Sequence, residues 1–413
     1  MNEKRRTAQR WRAVWAGAAV ALLLHLPVVV ARDRGHDPDH SHAQNLKQGR
    51  APAAVTDPRN DSESMRERAA LLQHAEAELQ RGDTSSAVDS FDRAAMLLHA
   101  PDTEMGLVRA YLQAGEYRRA LAFCAHTAGA HREAAAPAAL YAWLLQAGGQ
   151  SEFAKRTLDE ALARHPTDPV LLHTQSALNT AHPIAGPLLA SGSHRLAPHA
   201  VVQGGQIELP AAARVVASAV LLASGQRALV PTSALPAGSV VLLRNGLGHT
   251  TQATLEQRLD ALGLTVLRLT NALPTGDGTL LTAATRDSFA GSPGYVVAFS
   301  PSPSDQAAWP WLHAGFLGAA VLKGDRPLGI EVTASISGGL VLDGAGRFNG
   351  VALTDAQGRA VMVPVSALRA ALPSSDFADA PVAAGTAPSA RIPADLAYER
   401  ALRFSLQVIA HTP

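Results

Sequence analysis

The sequence contains a single cysteine, Cys124, among its 413 residues. One thiol cannot form an internal disulfide, and it excludes zinc or iron–sulfur sites built from several cysteines. An excess of charge of one sign is also missing, because 36 Lys and Arg balance 35 Asp and Glu. With a net charge of +1 the chain has no strong field to attract nucleic acid, so we expect no nucleic-acid partner. The 47% of hydrophobic residues supply enough apolar surface to exclude wholesale disorder.

An uncharged and strongly apolar run lies near the amino terminus, at residues 13–31. At 1.5 Å per residue this run spans about 28 Å, the thickness of a bilayer core. The basic segment before it predicts an amino end in the cytoplasm and everything after Arg32 outside. The run is a signal anchor or, alternatively, a signal peptide cleaved after Ala31. We therefore expect a single-pass protein of the bacterial inner membrane facing the periplasm, or else a soluble periplasmic or secreted protein.

Residues 32–64 are polar and unpatterned, which predicts a flexible linker. This segment contains His36, His40 and His42, but nothing around them forms a rigid ligand cage. We interpret them as histidines of a solvated linker and predict neither a metal site nor a cofactor for this protein.

Internal repeats follow the linker. Gly82, Gly115 and Gly149 are spaced 33 and 34 residues apart, and an alanine lies five residues beyond each of them. Apolar residues recur at helical spacing before and after each glycine. This pattern over residues 65–182 predicts helix pairs joined by a glycine turn, and it resembles the tetratricopeptide (TPR) repeat.

The resemblance implies a solenoid whose concave face binds a protein or peptide; a rigid spacer is the alternative. Arg109 and Gln113 lie on the first helix of the middle repeat, where Leu107, Ala110 and Tyr111 take the packing positions. We therefore predict that Arg109 and Gln113 are exposed binding residues of the groove. Cys124 falls on the second helix of its repeat and is interpreted as a buried packing residue.

Residues 200–370 have a different texture, with short runs rich in Val, Leu, Thr and Ala between turn residues. Such runs predict an all-β sandwich or barrel. Six segments occur in the order found in trypsin-like serine proteases of the HtrA type: 229–235 (LVPTSAL), 240–246 (VVLLRNG), 263–269 (GLTVLRL), 294–301 (GYVVAFSP), 335–340 (SISGGL) and 346–351 (GRFNGV). The domain therefore resembles that family, which implies a double β-barrel.

The same resemblance places the family's catalytic positions on three residues. Leu235 stands where the family has its histidine base, Gly263 where it has its aspartate, and Ser337 where it has its nucleophile. A serine hydroxyl is a weak nucleophile until a base removes its proton. The resemblance therefore implies a relic nucleophile in a domain without catalysis. The alternative is a displaced base for Ser337, for which His199, His249 and His313 are the candidates.

A second linker is predicted at residues 371–392, and Pro393 begins a predicted terminal helix over 393–410. The expected fold is thus multidomain: a membrane or signal helix at 1–31, an α-helical TPR solenoid and an all-β trypsin-like double barrel. The expected function is that of an exported, membrane-anchored scaffold with an inactive protease-like domain that binds proteins or peptides. The alternative is an active serine endopeptidase that uses Ser337 with an unrecognised base.

Overall fold

A computed structural model describes residues 58–179 and 195–411, apart from 206, 208, 210, 237, 277–280, 301–304, 319–325, 333–336 and 380–389. The predicted membrane or signal segment at 13–31 and the linker histidines lie outside the described residues. No helix within the described ranges is both long and apolar enough to cross a bilayer.

The amino-terminal part of the described chain is helical. Its helices are α1 (Pro58–Gln80), α2 (Thr84–Leu97), α3 (Pro101–Gln113), α4 (Tyr117–Ala130), α5 (Ala135–Ala147), α6 (Ser151–Arg164) and α7 (Pro169–Leu178). The residues before α2 and α7, Asp83 and Asp168, accept hydrogen bonds from backbone N–H groups of the first turn. Proline occupies the first position of α3 and of α7, where no N–H is needed.

The predicted glycine turns join α1 to α2, α3 to α4 and α5 to α6. Gly82, Gly115 and Gly149 have φ angles of +79°, +84° and +79°, a conformation that glycine adopts without a Cβ penalty. At the middle turn, the Glu116 N–H donates to the Tyr111 carbonyl at 2.9 Å and the Gly115 N–H donates to the Leu112 carbonyl at 2.9 Å. The other two turns repeat this bonding, so the helices form three successive hairpins with equivalent turns. We call these helices the helical array.

The strands that follow form two sheets. The first contains β1 (Val201–Val202), β2 (Arg214–Leu221), β3 (Arg227–Pro231), β4 (Val240–Asn245), β5 (His249–Leu259) and β6 (Leu264–Leu269). It also contains β15 (Ser405–His411), which pairs antiparallel with both β2 and β4. Because β5 pairs with both β4 and β6, the sheet closes into a six-stranded barrel in the order β4-β15-β2-β3-β6-β5.

The expected terminal helix over 393–410 is therefore wrong in its second half. Residues Ala394–Ala401 form a helix, but Ser405–His411 form a strand at the centre of the first sheet. The strand is buried on both faces, including Gln407, so no polar alternation marks it in the sequence. The predicted linker also begins too early, because Phe377 is buried and Ala378–Asp379 forms a short strand.

The second sheet is built from β8 (Ser292–Ala298), β9 (Trp311–Leu317), β10 (Arg326–Pro327), β11 (Gly339–Asp343), β12 (Phe348–Thr354) and β13 (Ala360–Pro364). Its order is β10-β13-β12-β11-β8-β9, and a bridge between Phe316 and Gly329 joins its two ends. The short strands β7 (Thr282–Ala283) and β14 (Ala378–Asp379) pair beside β12. The helices α8 (Val365–Ala371) and α9 (Ala394–Ala401) complete the fold, and its two barrels fit the expected double barrel.

The helical array packs on the barrels through its glycine turns. A Cβ on Gly115 would lie 2.5 Å from the Arg403 guanidinium, and one on Gly149 would lie 2.7 Å from a Leu312 methyl group. The Arg403 guanidinium donates to the Ala114 carbonyl at 2.8 Å. The rings of Trp143 and Trp311 also meet, with their centroids 5.2 Å apart. One buried apolar cluster runs from the helices into the first barrel, so Arg68–Pro413 behaves as one compact unit.

Candidate functional site

Leu235 ends a short 3-10 helix directly after strand β3. Proline at position 231 closes the strand, Thr232–Ala234 form the helix, and the Leu235 N–H donates to the Thr232 carbonyl at 3.3 Å. The Leu235 side chain is half-buried and packs against the main apolar core. A branched aliphatic chain neither accepts nor donates a proton, so this position contributes packing only.

Gly263 lies one strand away, between a second 3-10 helix and β6. Its φ of +64° is in the left-handed region, and its carbonyl accepts a hydrogen bond of 2.9 Å from the Thr232 N–H. A Cβ at Gly263 would lie 3.7 Å from Leu353, an ordinary van der Waals contact. The turn therefore has space for a side chain but holds none, and no carboxylate stands at this position.

Ser337 opens the tight turn before β11. It is 8% exposed, and its carbonyl accepts a hydrogen bond of 2.9 Å from the Ser218 N–H. The next residue, Gly338, has a φ of +92°, and a Cβ there would lie 1.9 Å from the Ser218 carbonyl oxygen and 2.8 Å from Pro231. Only glycine fits so close an approach of two backbones, so packing alone accounts for Gly338.

The three positions therefore border one short segment, Pro231–Leu235. Gly338 packs against its first residue, Gly263 hydrogen-bonds to its second, and Leu235 is its last. Within the described ranges, the Ser337 hydroxyl has no hydrogen bond to a histidine or a carboxylate. Among the described residues, no histidine or carboxylate is placed to take the proton of this hydroxyl.

The three histidines considered as replacement bases, His199, His249 and His313, contact other groups or lie on another strand. The ring of His199 contacts the Glu76 carboxylate at 3.0 Å, and the ring of His249 contacts the Gln203 amide at 2.6 Å. His313 lies on β9, opposite Val296 of β8. Burial lowers the pKa of all three histidines, so each favours the neutral ring, but none is hydrogen-bonded to Ser337.

Arg109 and Gln113 do not line an open groove, which corrects the exposure that the sequence analysis expected. Each is 3% exposed. Arg109 forms an ion pair with Glu76, and the Gln113 amide donates to the Leu79 carbonyl at 2.8 Å and accepts from the His199 N–H at 3.1 Å. His199 belongs to the segment that leads into β1, so the barrel side of the chain covers this helix face. Cys124 is buried, and burial raises the pKa of its thiol, in keeping with a packing role.

A cavity of about 300 Å³ lies beside the first barrel, away from Ser337. Arg195 and Arg244 line it together with apolar residues such as Leu242. The buried Arg244 donates to the Thr250 hydroxyl at 2.8 Å and to the Asp305 carbonyl. Burial lowers the pKa of Arg244 to about 10, so the group keeps its charge at neutral pH. The sequence analysis missed this site, although an arginine inside the apolar run VVLLRN was a visible signal.

No protein-family model matches the sequence, and no curated protein matches it. The chain is similar to the apo form of the MamO protease domain from Magnetospirillum magneticum, with 14% identity and a TM-score of 0.29 over 40% of this chain and 97% of that one. For the inactive form of Rv3671c protease the identity is 12% and the TM-score 0.30, over 38% of this chain and 86% of that one. For the HtrA-type protease AlgW with a decapeptide the values are 17% and 0.31, over 37% of this chain and 49% of that one. The chain thus covers about half of the AlgW chain. Each of these is a protease structure, and similarity of this size transfers no activity to the present chain.

Proposed function

We propose that this protein is a non-enzymatic binding scaffold, in which a TPR-like array is fixed to a trypsin-like double barrel that has lost catalysis. Leu235 carries the proposal. It occupies the end of the 3-10 helix that borders the Ser337 turn, and it offers no base. Removal of the histidine base alone lowers kcat about 10⁶-fold in subtilisin. A domain without that base is therefore expected to lack useful protease activity.

Binding falls to the faces of the array that the barrels leave open. The glycine-turn side is covered, as Gly115 and Gly149 show, and Arg109 and Gln113 are buried. Phe153, near the start of α6, is 55% exposed and carries the Arg156 guanidinium 5.1 Å from its ring centre. Aromatic and arginine side chains are enriched among the residues that supply most of the binding energy at protein interfaces. We propose that this helix face, rather than the barrels, makes the main contact.

Export completes the proposal. The uncharged run at 13–31, with its basic flank, supports an inner-membrane anchor and a periplasmic location. A carbonate wash tests it, because an anchored chain stays in the membrane pellet and its array is reached by a protease added from the periplasmic side. Recovery of a shortened soluble form that begins near Arg32 would establish a cleaved signal instead.

The catalytic part is tested with a fluorophosphonate probe, which labels activated serines, on the full chain and on Ser337→Ala. We expect no labelling of either protein, with trypsin labelled as the positive control. Circular dichroism on both samples verifies that they are folded. Labelling of the wild type that disappears in Ser337→Ala would contradict the proposal and establish the active endopeptidase.

The binding part is tested by pull-down from membrane extracts with a matched pair of variants. Phe153→Ser changes the array. Phe289→Ser changes a loop of the second barrel, where Phe289 is more exposed, at 68%, and has the Arg286 guanidinium 4.7 Å from its ring centre. We expect Phe153→Ser to weaken partner capture and Phe289→Ser to leave it unchanged. The opposite ranking would make the barrels the binding module.

A further inference from the structure

Two histidines and a glutamate meet at the end of the array that is opposite the glycine turns. His99 lies in the connection between α2 and α3, Glu104 in the first turn of α3, and His131 directly after α4. The two histidines come from the connections before and after the second hairpin, and Glu104 lies at the start of that hairpin. The stacking of the hairpins therefore brings the three residues together.

Their ligand atoms are close enough to share one ion. His99 Nε2 lies 2.6 Å from Glu104 Oε1, and His131 Nε2 lies 3.3 Å from Glu104 Oε2. One ligand atom from each of the three residues lies within 4.8 Å of the other two. In a tetrahedral site, ligand atoms about 2.1 Å from zinc lie about 3.4 Å apart, so binding requires the most distant pair to approach by up to about 1.4 Å. The His99 side chain is 46% exposed, so it has room on its solvent side to move.

Burial makes the cluster more than a surface ion pair. Glu104 and His131 are both buried, and the two atoms that face each other at 3.3 Å, Glu104 Oε2 and His131 Nε2, make no hydrogen bond of good geometry with any described residue. Buried polar atoms are nearly always satisfied, because leaving one unpaired costs free energy. A cation between these two atoms would satisfy both at once.

The ligand chemistry selects a class of metal. Imidazole nitrogens with one carboxylate suit Zn²⁺ and similar transition ions, whereas Ca²⁺ and Mg²⁺ prefer oxygen ligands throughout. The other ring nitrogen of His131, Nδ1, lies 3.3 Å from the exposed Glu133 carboxylate. Metal-bound histidines usually donate their second N–H to such a group, which fixes the tautomer and the ring orientation.

We propose that His99, Glu104 and His131 form a binding site for a divalent transition metal of the Zn²⁺ type. Three protein ligands leave a coordination position open to water or to a side chain of a bound partner. The site ties the second hairpin to its neighbours, and it does not depend on the proposed loss of catalysis or on the proposed binding face.

The test is a titration of the metal-stripped full chain with Zn²⁺ by calorimetry and with Co²⁺ by visible absorption. The linker histidines His36, His40 and His42 are first replaced by alanine, so that they cannot supply a second site. We expect one Zn²⁺ per chain, a Co²⁺ spectrum of nitrogen and oxygen ligation, and a rise in Tm with excess Zn²⁺.

Single variants then assign the ligands. His99→Ala should weaken Zn²⁺ binding at least tenfold, and His131→Ala should abolish it. The metal-free Tm of each variant verifies that it is folded. The matched control is His74→Ala, because His74 is 60% exposed and also pairs with a glutamate, Glu78, at 3.1 Å, but without a second histidine. It should bind Zn²⁺ like the parent. Absence of Zn²⁺ binding in the parent, or unchanged binding in His99→Ala, would overturn the proposal.

Discussion

The two barrels have the same number of main strands but differ in where those strands come from. The second barrel is built from β8–β13, which follow one another along the chain. The first takes one of its six strands from β15, so that Val220 on β2 pairs with Ser405 at the far end of the β-region. The second barrel can therefore close as soon as its own segment is present, whereas the first must capture a distant segment. The two barrels thus look alike, but only the first needs a strand from a distant part of the chain in order to close.

Removing residues 402–411 is expected to have the largest effect on this comparison. The deletion separates β2 from β4 and exposes two rows of backbone groups that β15 now satisfies. We expect loss of hydrogen-exchange protection throughout β2–β6. Full protection of β2 and β4 in the truncated chain would show that the first barrel closes without its remote strand.

Single core substitutions should sharpen the comparison. Leu406 on β15 and Leu340 on β11 are both fully buried, one in each barrel. Each change to alanine should lower the free energy of unfolding by about 2–5 kcal/mol, because a remote strand packs as closely as a local one. Denaturant unfolding of both variants measures this. A loss below about 1 kcal/mol for Leu406→Ala alone would mean that β15 is held loosely.

The contact between the array and the barrels is tested with two glycines of similar conformation. Gly149 has a φ of +79° and a methyl group of Leu312 2.7 Å from its would-be Cβ, whereas Gly291 has a φ of +74° and open space. Both changes to alanine incur backbone strain of about 1–2 kcal/mol, but only Gly149→Ala must also displace Leu312. We expect the larger drop in Tm for Gly149→Ala. Equal drops would show that the turn does not press on the second barrel.

Acid should weaken the same contact through Glu76. Burial alone raises the pKa of Glu76, but hydrogen bonds from His199 and Arg109 outweigh burial and lower the pKa from 4.5 to about 2. A carboxyl with a lowered pKa stabilises the fold above its unfolded pKa, and this stabilisation is lost as the pH falls from about 4.5 towards 2. Burial also lowers the pKa of His199, so its contribution declines below 6.5. Tm should therefore fall as the pH is lowered below 6.5 and again below about 4.5. Glu76→Gln should remove most of the fall below about 4.5. A variant with the same pH profile as the wild type would contradict the role given to Glu76.

The sequence was most informative where local chemistry decides the structure. The glycines at 82, 115 and 149 mark turns that only a left-handed residue fits, and all three turns are where the spacing predicted them. The run at 229–235 likewise contains the end of a strand, which Pro231 closes. Order along the chain was enough to place Ser337 near it.

The sequence analysis was wrong where contacts with a distant segment determine the local structure. Arg109 and Gln113 have the helical spacing of exposed residues, but Glu76 and His199 contact and bury them. The sequence near position 109 contains no sign of these contacts. Ser405–His411 follows a helix beginning at Pro393, and its doubly buried, unalternating residues have no strand period to detect. Both errors concern contacts between parts of the chain that lie far apart in sequence.

The glycine turns have a consequence for how such a chain changes over evolutionary time. Helical arrays usually gain and lose units freely, because each unit touches only its neighbours. Here each hairpin turn has its own partner on the barrels: Val201 for Gly82, Arg403 for Gly115 and Leu312 for Gly149. Duplication or loss of one unit would shift every later turn away from its partner. The barrels therefore fix the number of hairpins. Sequence changes should accumulate instead in the connections at the opposite end of the array.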